Sequence, residues 1–173
     1  SIYAKKKHTA GFWVIDELCK RWKISLNPGI GYYVFGEKND SKAILMKPLT
    51  GMNKSGKAVK ELCINQGLLL SNVYVIVDDI DLPLGKLRIR PKGGDGCHRG
   101  MESIIYQNRD NNFPRIRFGI AVGSKLRPSE EYVLKDFKKS DQRLADEIII
   151  RAADAAELIL EHGLNKAMNK YNA

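Results

Sequence analysis

Residues 72–85, NVYVIVDDIDLPLG, constrain the chain more than any other stretch. Val73, Tyr74, Val75, Ile76 and Val77 form a continuous apolar run, β-branched and aromatic, as a strand buried on both faces requires. The run stops at Asp78, Asp79 and Asp81, and Leu82-Pro83 follow. Ligands of open α/β sheets gather outside the carboxyl ends of the strands, so acids placed there are candidates for chemistry. They would equally solubilise a strand end and close a turn, and the stretch alone leaves both readings open.

The segments on either side supply the layers. Residues 9–23 read as a helix, with Trp13, Ile15, Leu18, Cys19 and Trp22 near helical spacing. Residues 31–37 and 42–47 read as strands paired across Asn39-Asp40, and residues 53–67 as a second helix stopped by Gly67. Residues 86–90 alternate, with Arg88 and Arg90 on one face and Leu87 and Ile89 on the other. A glycine loop at 92–97 leads to a helix over 98–106, and 115–122 form another strand with Arg115 and Arg117 on one face. The longest helix is expected over 141–162, striped by Leu144, Ile148, Ala152, Ala155 and Ile159. Strands alternating with helices predict an α/β fold, a three-layer α/β/α sandwich around a mostly parallel, mixed sheet. With no internal repeat or linker, residues 1–173 are expected to form a single domain.

Lys and Arg number 29 against 20 Asp and Glu, a net charge of +9, which points to a polyanionic partner such as nucleic acid or a phosphorylated ligand. No apolar run approaches the ~18 residues of a membrane span, and no signal-peptide pattern is present. Cys19, Cys63 and Cys97 are odd in number and lack a CxxC pair, which predicts reduced thiols in a cytoplasmic setting.

Gly51 to Lys57, GMNKSGK, nearly fits a phosphate-cradling GxxxxGK[ST] loop, and Asp78-Asp79 would then be the acidic strand end that holds Mg²⁺. The position that needs a hydroxyl is Ala58, which has none to offer a metal. The alternative is a polar start to the second helix, capped by Asn53 or Ser55.

A larger set of motifs runs through the chain. YAKKKHTAG (3–11), GMNKSGKAV (51–59), VDDIDLPLG (77–85), GGDGCHRGMESI (93–104) and RIRFGI (115–120) occur in this order, and GLNKAMNK closes the last helix. Together they resemble the bacterial-type peptidyl-tRNA hydrolase family. That resemblance implies hydrolysis of the ester joining a peptide to the terminal ribose of tRNA, with no metal or cofactor, by a monomer that meets the acceptor stem and CCA end. It implies His8 as general base, Asp78 orienting the imidazole, and Asn53 positioning water or the ester carbonyl. Tyr3, Met52, His98 and Arg99 fall on substrate-binding positions, and Arg90 and Arg117 on those that grip the 5′-phosphate end. Glycines 93, 94 and 96 would bring backbone N–H groups to substrate.

The likeness has departures. Members usually begin with an apolar strand ending in G-L-G-N-P-G; that block is absent here, which removes a strand and an amide from the expectation. The common T-R-H-N is Lys6-Lys7-His8-Thr9, so charge is kept at Lys7 and the Asn is lost. G-H-N-G is Cys97-His98-Arg99-Gly100, where Arg cannot reproduce an amide's paired donor and acceptor. The same fold includes non-catalytic RNA-binding relatives that assist splicing. Retention of His8, Asn53 and Asp78 favours the hydrolase.

Overall fold

The computed structural model describes residues 7–40, 43–123, 126 and 129–172. Internal contacts divide the chain into two compact units.

Ser1–Glu17, Ile76–Ile89 and Ile116–Ala173 form the first unit. Its sheet contains β4 (Val75–Pro83), β5 (Leu87–Arg90) and β6 (Arg115–Ala121), in the order β4-β6-β5. The N–H of Val75 donates to Pro114 and that of Leu84 to Ala121, so β4 and β6 run in the same direction. The N–H of Gly119 donates to Lys86 just before β5, and that of Gly93, just after it, is directed at Asn111 before β6, so β5 runs antiparallel to β6. The sheet is therefore mixed. Ile80, Leu87, Ile89, Ile116, Phe118 and Ile120 bury their side chains in this unit. Helix α1 (Ala10–Trp22) starts here, and α4 (Ser129–Val133), α5 (Gln142–His162) and α6 (Leu164–Tyr171) complete it. The buried face of α5 is Ala145, Ile148, Ile149, Ala152, Ala153, Ala155 and Ile159. Leu144, expected on that stripe, stands 41% exposed beside Gly85, because the stripe begins one residue later. At the far end, the Asn172 amide accepts from the N–H of Ile89 (2.7 Å) and donates to its C=O (2.9 Å), occupying the outer edge of β5 as a strand would.

Leu18–Val75 and Arg90–Arg115 form the second unit. Here β1 (Asn27–Pro28), β2 (Tyr33–Lys38) and β3 (Ala43–Pro48) are an antiparallel sheet, with β2 and β3 in register from Tyr33↔Pro48 to Lys38↔Ala43. Helices α2 (Ser55–Gln66) and α3 (Arg99–Asn108) pack on one another. They approach so closely that a Cβ on Gly56 would lie 2.1 Å from the Ser103 carbonyl oxygen. Tyr33, Ala58 and Leu62 form the apolar centre, with Phe35, Ile44 and Met46 against them.

β4 differs from its expectation in a way that matters for chemistry. It does not stop at Val77 but runs through the acids to Pro83, with Asp78, Asp79 and Ile80 buried inside it. Carboxylates are tolerated in a buried strand only with polar partners, and those partners come from distant segments.

Candidate functional site

In the first unit, a 3-10 turn (Lys7–Thr9) feeds directly into α1. Gly11 lets this helix lie on β4: a Cβ there would sit 2.5 Å from the Ile76 carbonyl oxygen. His8 precedes Gly11 by one helical turn, and Asp78 follows Ile76 by one strand repeat. The close approach thus carries the two side chains together. Nδ1 of His8 lies 3.4 Å from Oδ2 of Asp78, with the carboxylate side chain 3% exposed and the imidazole 15%. An ionised carboxylate only accepts, so Nδ1 carries the proton and Nε2 keeps its lone pair. A separation of 3.4 Å is long for a charge-assisted bond.

Asp79 faces the other side of the strand, as alternation requires. Its Oδ2 accepts from Nε of Arg117 at 2.9 Å, and its Oδ1 from the N–H of Asp81 at 2.9 Å. The turn-tying part expected of Asp81 is therefore played by Asp79, while Asp81 is exposed. Burial pushes the Asp79 carboxyl up and outweighs the Asp81 N–H and the Arg117 guanidinium, with Asp81 and Asp78 adding to the rise. The folded state then holds this proton more tightly than the unfolded chain. Its contribution to stability is present at acid pH and lost as pH rises through the raised pKa. In urea unfolding, wild type is expected to gain stability relative to Asp79→Asn as pH falls from about 7 to about 4. A widening deficit on acidification would show that the ion pair, not burial, dominates.

In the second unit, Met52 and Asn53 lie on a 3-10 turn (Met52–Lys54) that packs on α3. Gly100 opens α3 against Met52, whose sulfur would be 2.7 Å from a Cβ at that position. Neither Asn53 nor Ser55 caps α2: its N-cap is Lys54, without a side-chain bond, and the Ser55 hydroxyl donates to the Met52 C=O at 2.8 Å. The Asn53 side chain is exposed and has no hydrogen-bond partner among the described residues. The same turn removes the phosphate-cradle reading. The N–H of Lys54 is spent on Gly51, that of Ser55 on Met52, and that of Gly56 on the Ser103 hydroxyl. These three N–H donors are therefore not left for a phosphate.

His98 is buried at the N-cap of α3, where Nδ1 accepts from the N–H of Gly100 (3.1 Å) and of Met101 (3.2 Å). Two of the N–H groups that a carbonyl or anion could take at this helix start are thus held by the imidazole itself. Nδ1 is an acceptor, so the proton sits on Nε2, which is the donor this residue presents. Arg99 is exposed and pairs with Glu102 at 3.2 Å; Arg90 is exposed at the end of β5.

Arg115 corrects the expectation that it shares a substrate face with Arg117. It is 1% exposed, and its guanidinium donates to the carbonyls of Phe113 (3.1 Å), Gly93 (2.6 Å), Gly94 (3.0 Å) and Asn111 (3.0 Å). It is a buried cation that fastens the glycine loop. The N–H of Gly93 is directed at Asn111, beyond α3, and within the loop the N–H of Cys97 is bonded to the Asp95 side chain. Tyr3 lies outside the described residues.

The family model described as peptidyl-tRNA hydrolase matches residues 1–173. A protein named peptidyl-tRNA hydrolase from Thermoanaerobacter sp. (strain X514) is 44% identical over 172 residues, covering 98% of this chain and 92% of that one. Another, from Geobacillus kaustophilus, is 40% identical over the same shares. The chain belongs to the peptidyl-tRNA hydrolase family. Solved structures agree: peptidyl-tRNA hydrolase from Acinetobacter baumannii superimposes with a TM-score of 0.87 at 30% identity, over 99% of this chain and 88% of that one. A peptidyl-tRNA hydrolase complex with n-propanol gives the same TM-score at 31% identity and the same coverage.

In this peptidyl-tRNA hydrolase family member two residues have surroundings that the sequence does not show. Asp79 holds Arg117, and Lys7 is buried. A run of three lysines at 5–7 reads as solvated charge, and nothing local marks the third as interior. All three cysteines are free thiols, with Cys19 and Cys63 half-buried and Cys97 exposed. No helix among the described residues is long and apolar enough to cross a membrane.

Proposed function

We propose that this chain hydrolyses the ester between a peptide and the terminal ribose of tRNA, with His8 as general base. Nε2 of His8 takes a proton from water while the oxygen attacks the ester carbonyl. Collapse of the tetrahedral intermediate expels the ribose oxygen, which takes that proton from the imidazolium and leaves as the hydroxyl. Asp78 holds the tautomer that keeps the lone pair on Nε2 and stabilises the imidazolium. The His8–Asp78 contact from a buried carboxylate is the observation that carries this reading. Asn53, with open donor and acceptor, positions the water or the carbonyl; Met52, His98 through Nε2–H, Arg99 and Tyr3 meet the aminoacyl and CCA end.

Arg90 and Arg117 grip the 5′-phosphate of the acceptor stem. The Asp79 carboxylate takes Nε of Arg117 and leaves the two terminal nitrogens for phosphate oxygens. In this reading the chemistry needs no metal, and a cytoplasmic monomer suffices. Release of an N-acetylaminoacyl group from tRNA, measured with EDTA present, tests it. Sustained turnover is expected. Tight tRNA binding without release would identify an RNA-binding relative instead, and phosphate release from ATP would revive a nucleotide enzyme.

A further inference from the structure

Lys7 stands immediately before the base, and lysine is rarely so deeply buried. Its Nζ donates to the carbonyls of Lys135 (3.3 Å) and Asp136 (2.7 Å), and its own N–H is directed at Lys135 (3.4 Å). The ammonium also lies 4.7 Å from the centre of the Tyr132 ring and 5.1 Å from that of Phe137. Every one of these partners belongs to residues 132–137.

That segment is anchored elsewhere too. The Tyr132 hydroxyl donates to Ile120 (2.7 Å) and accepts from the N–H of Val122 (2.9 Å) at the end of β6, and the Phe137 ring lies 6.1 Å from Trp13 of α1. Only the Lys7 anchor is continuous with the base. Among the described residues no carboxylate is within ion-pair distance of the ammonium, and Asp136 and Asp141 act on it only at longer range. Carbonyls and ring faces repay part of the desolvation of a cation, and water repays it too. Such a clamp holds firmly yet releases without leaving a buried charge behind.

We infer that Lys7 is a positioning residue that ties residues 132–137 to the His8 turn, so that the seating of this segment sets the aim of the imidazole. The inference rests on His8 being the general base. Lys7→Met keeps the length of the side chain and deletes the charge and its hydrogen bonds. It is expected to lower kcat on the order of 10- to 100-fold, the scale of a catalytic group displaced by about 1 Å, with KM for tRNA unchanged. Amide hydrogen exchange within 132–137 should accelerate while the rest of the chain keeps its protection. Lys7→Arg, which can reach the same carbonyls, should recover both.

Phe137→Leu, which loosens the same clamp from its other side, should repeat the loss of kcat. Wild-type kcat in Lys7→Met would overturn the inference. So would a loss of kcat with unchanged exchange in 132–137, or faster exchange throughout the chain, which marks a purely structural role. Failure of the hydrolase reading shows separately, as absent turnover by wild type. The exchange pattern and the His8 imidazole NMR shift, compared between wild type and Lys7→Met, then still decide whether clamp and imidazole move together.

Discussion

His8→Ala is expected to cut the rate of N-acetylaminoacyl-tRNA hydrolysis on the order of 10²–10⁴-fold, the range spanned by a positioned general base. Affinity for uncharged tRNA should hardly change, because in the proposed mechanism the imidazole deals with water and not with phosphates. The loss should sit in kcat, since proton transfer contributes only in the transition state. Asp78→Asn should follow it in kind. An amide at that place no longer requires a proton on Nδ1, so the population with a free Nε2 falls. Single-turnover rates together with tRNA binding by filter retention separate the two quantities. A His8→Ala protein that releases the aminoacyl group at the wild-type rate would remove this imidazole from the reaction.

Arg115→Met is expected to cost about 3–4 kcal/mol of stability, because buried polar groups left without partners each cost about 1–3 kcal/mol. Four backbone carbonyls lose their donor at once, two of them in the loop between β5 and α3. The Phe113 ring, 4.3 Å from the guanidinium, also loses its cation. Urea unfolding measures the effect as a lower midpoint at constant slope. Arg117→Met should be milder, since that side chain is 28% exposed and the Asp79 carboxyl, already raised by burial, can take up a proton when its cation is lost. Equal stability losses for the two arginines would contradict the distinction drawn between them.

The two arginines also show where sequence stops being legible. Positions 115 and 117 share a strand face by alternation, and that much follows from spacing. Whether the face is covered changes along the strand, and the cover on Arg115 comes from residues 93, 94, 111 and 113. Local pattern contains no record of that. The order of helices and strands was readable because hydrophobic period speaks for each element separately, as in α2, β5 and α5.

The end of β4 was not readable, because Asp78 and Asp79 look like a strand terminus until their partners at His8 and Arg117 are known. His98 was legible as the opening of α3, but not as its cap. An imidazole nitrogen there does what Ser or Asp ordinarily does, and the tautomer follows only from the two N–H groups it accepts.

A double-mutant cycle on His8 and Asp78, read as single-turnover hydrolysis of N-acetylaminoacyl-tRNA, tests the central claim most directly. If the carboxylate works through the imidazole, Asp78→Asn costs much in wild type and almost nothing once His8 is alanine. Equal losses in both backgrounds would contradict that dependence and leave the 3.4 Å contact without a part in the chemistry.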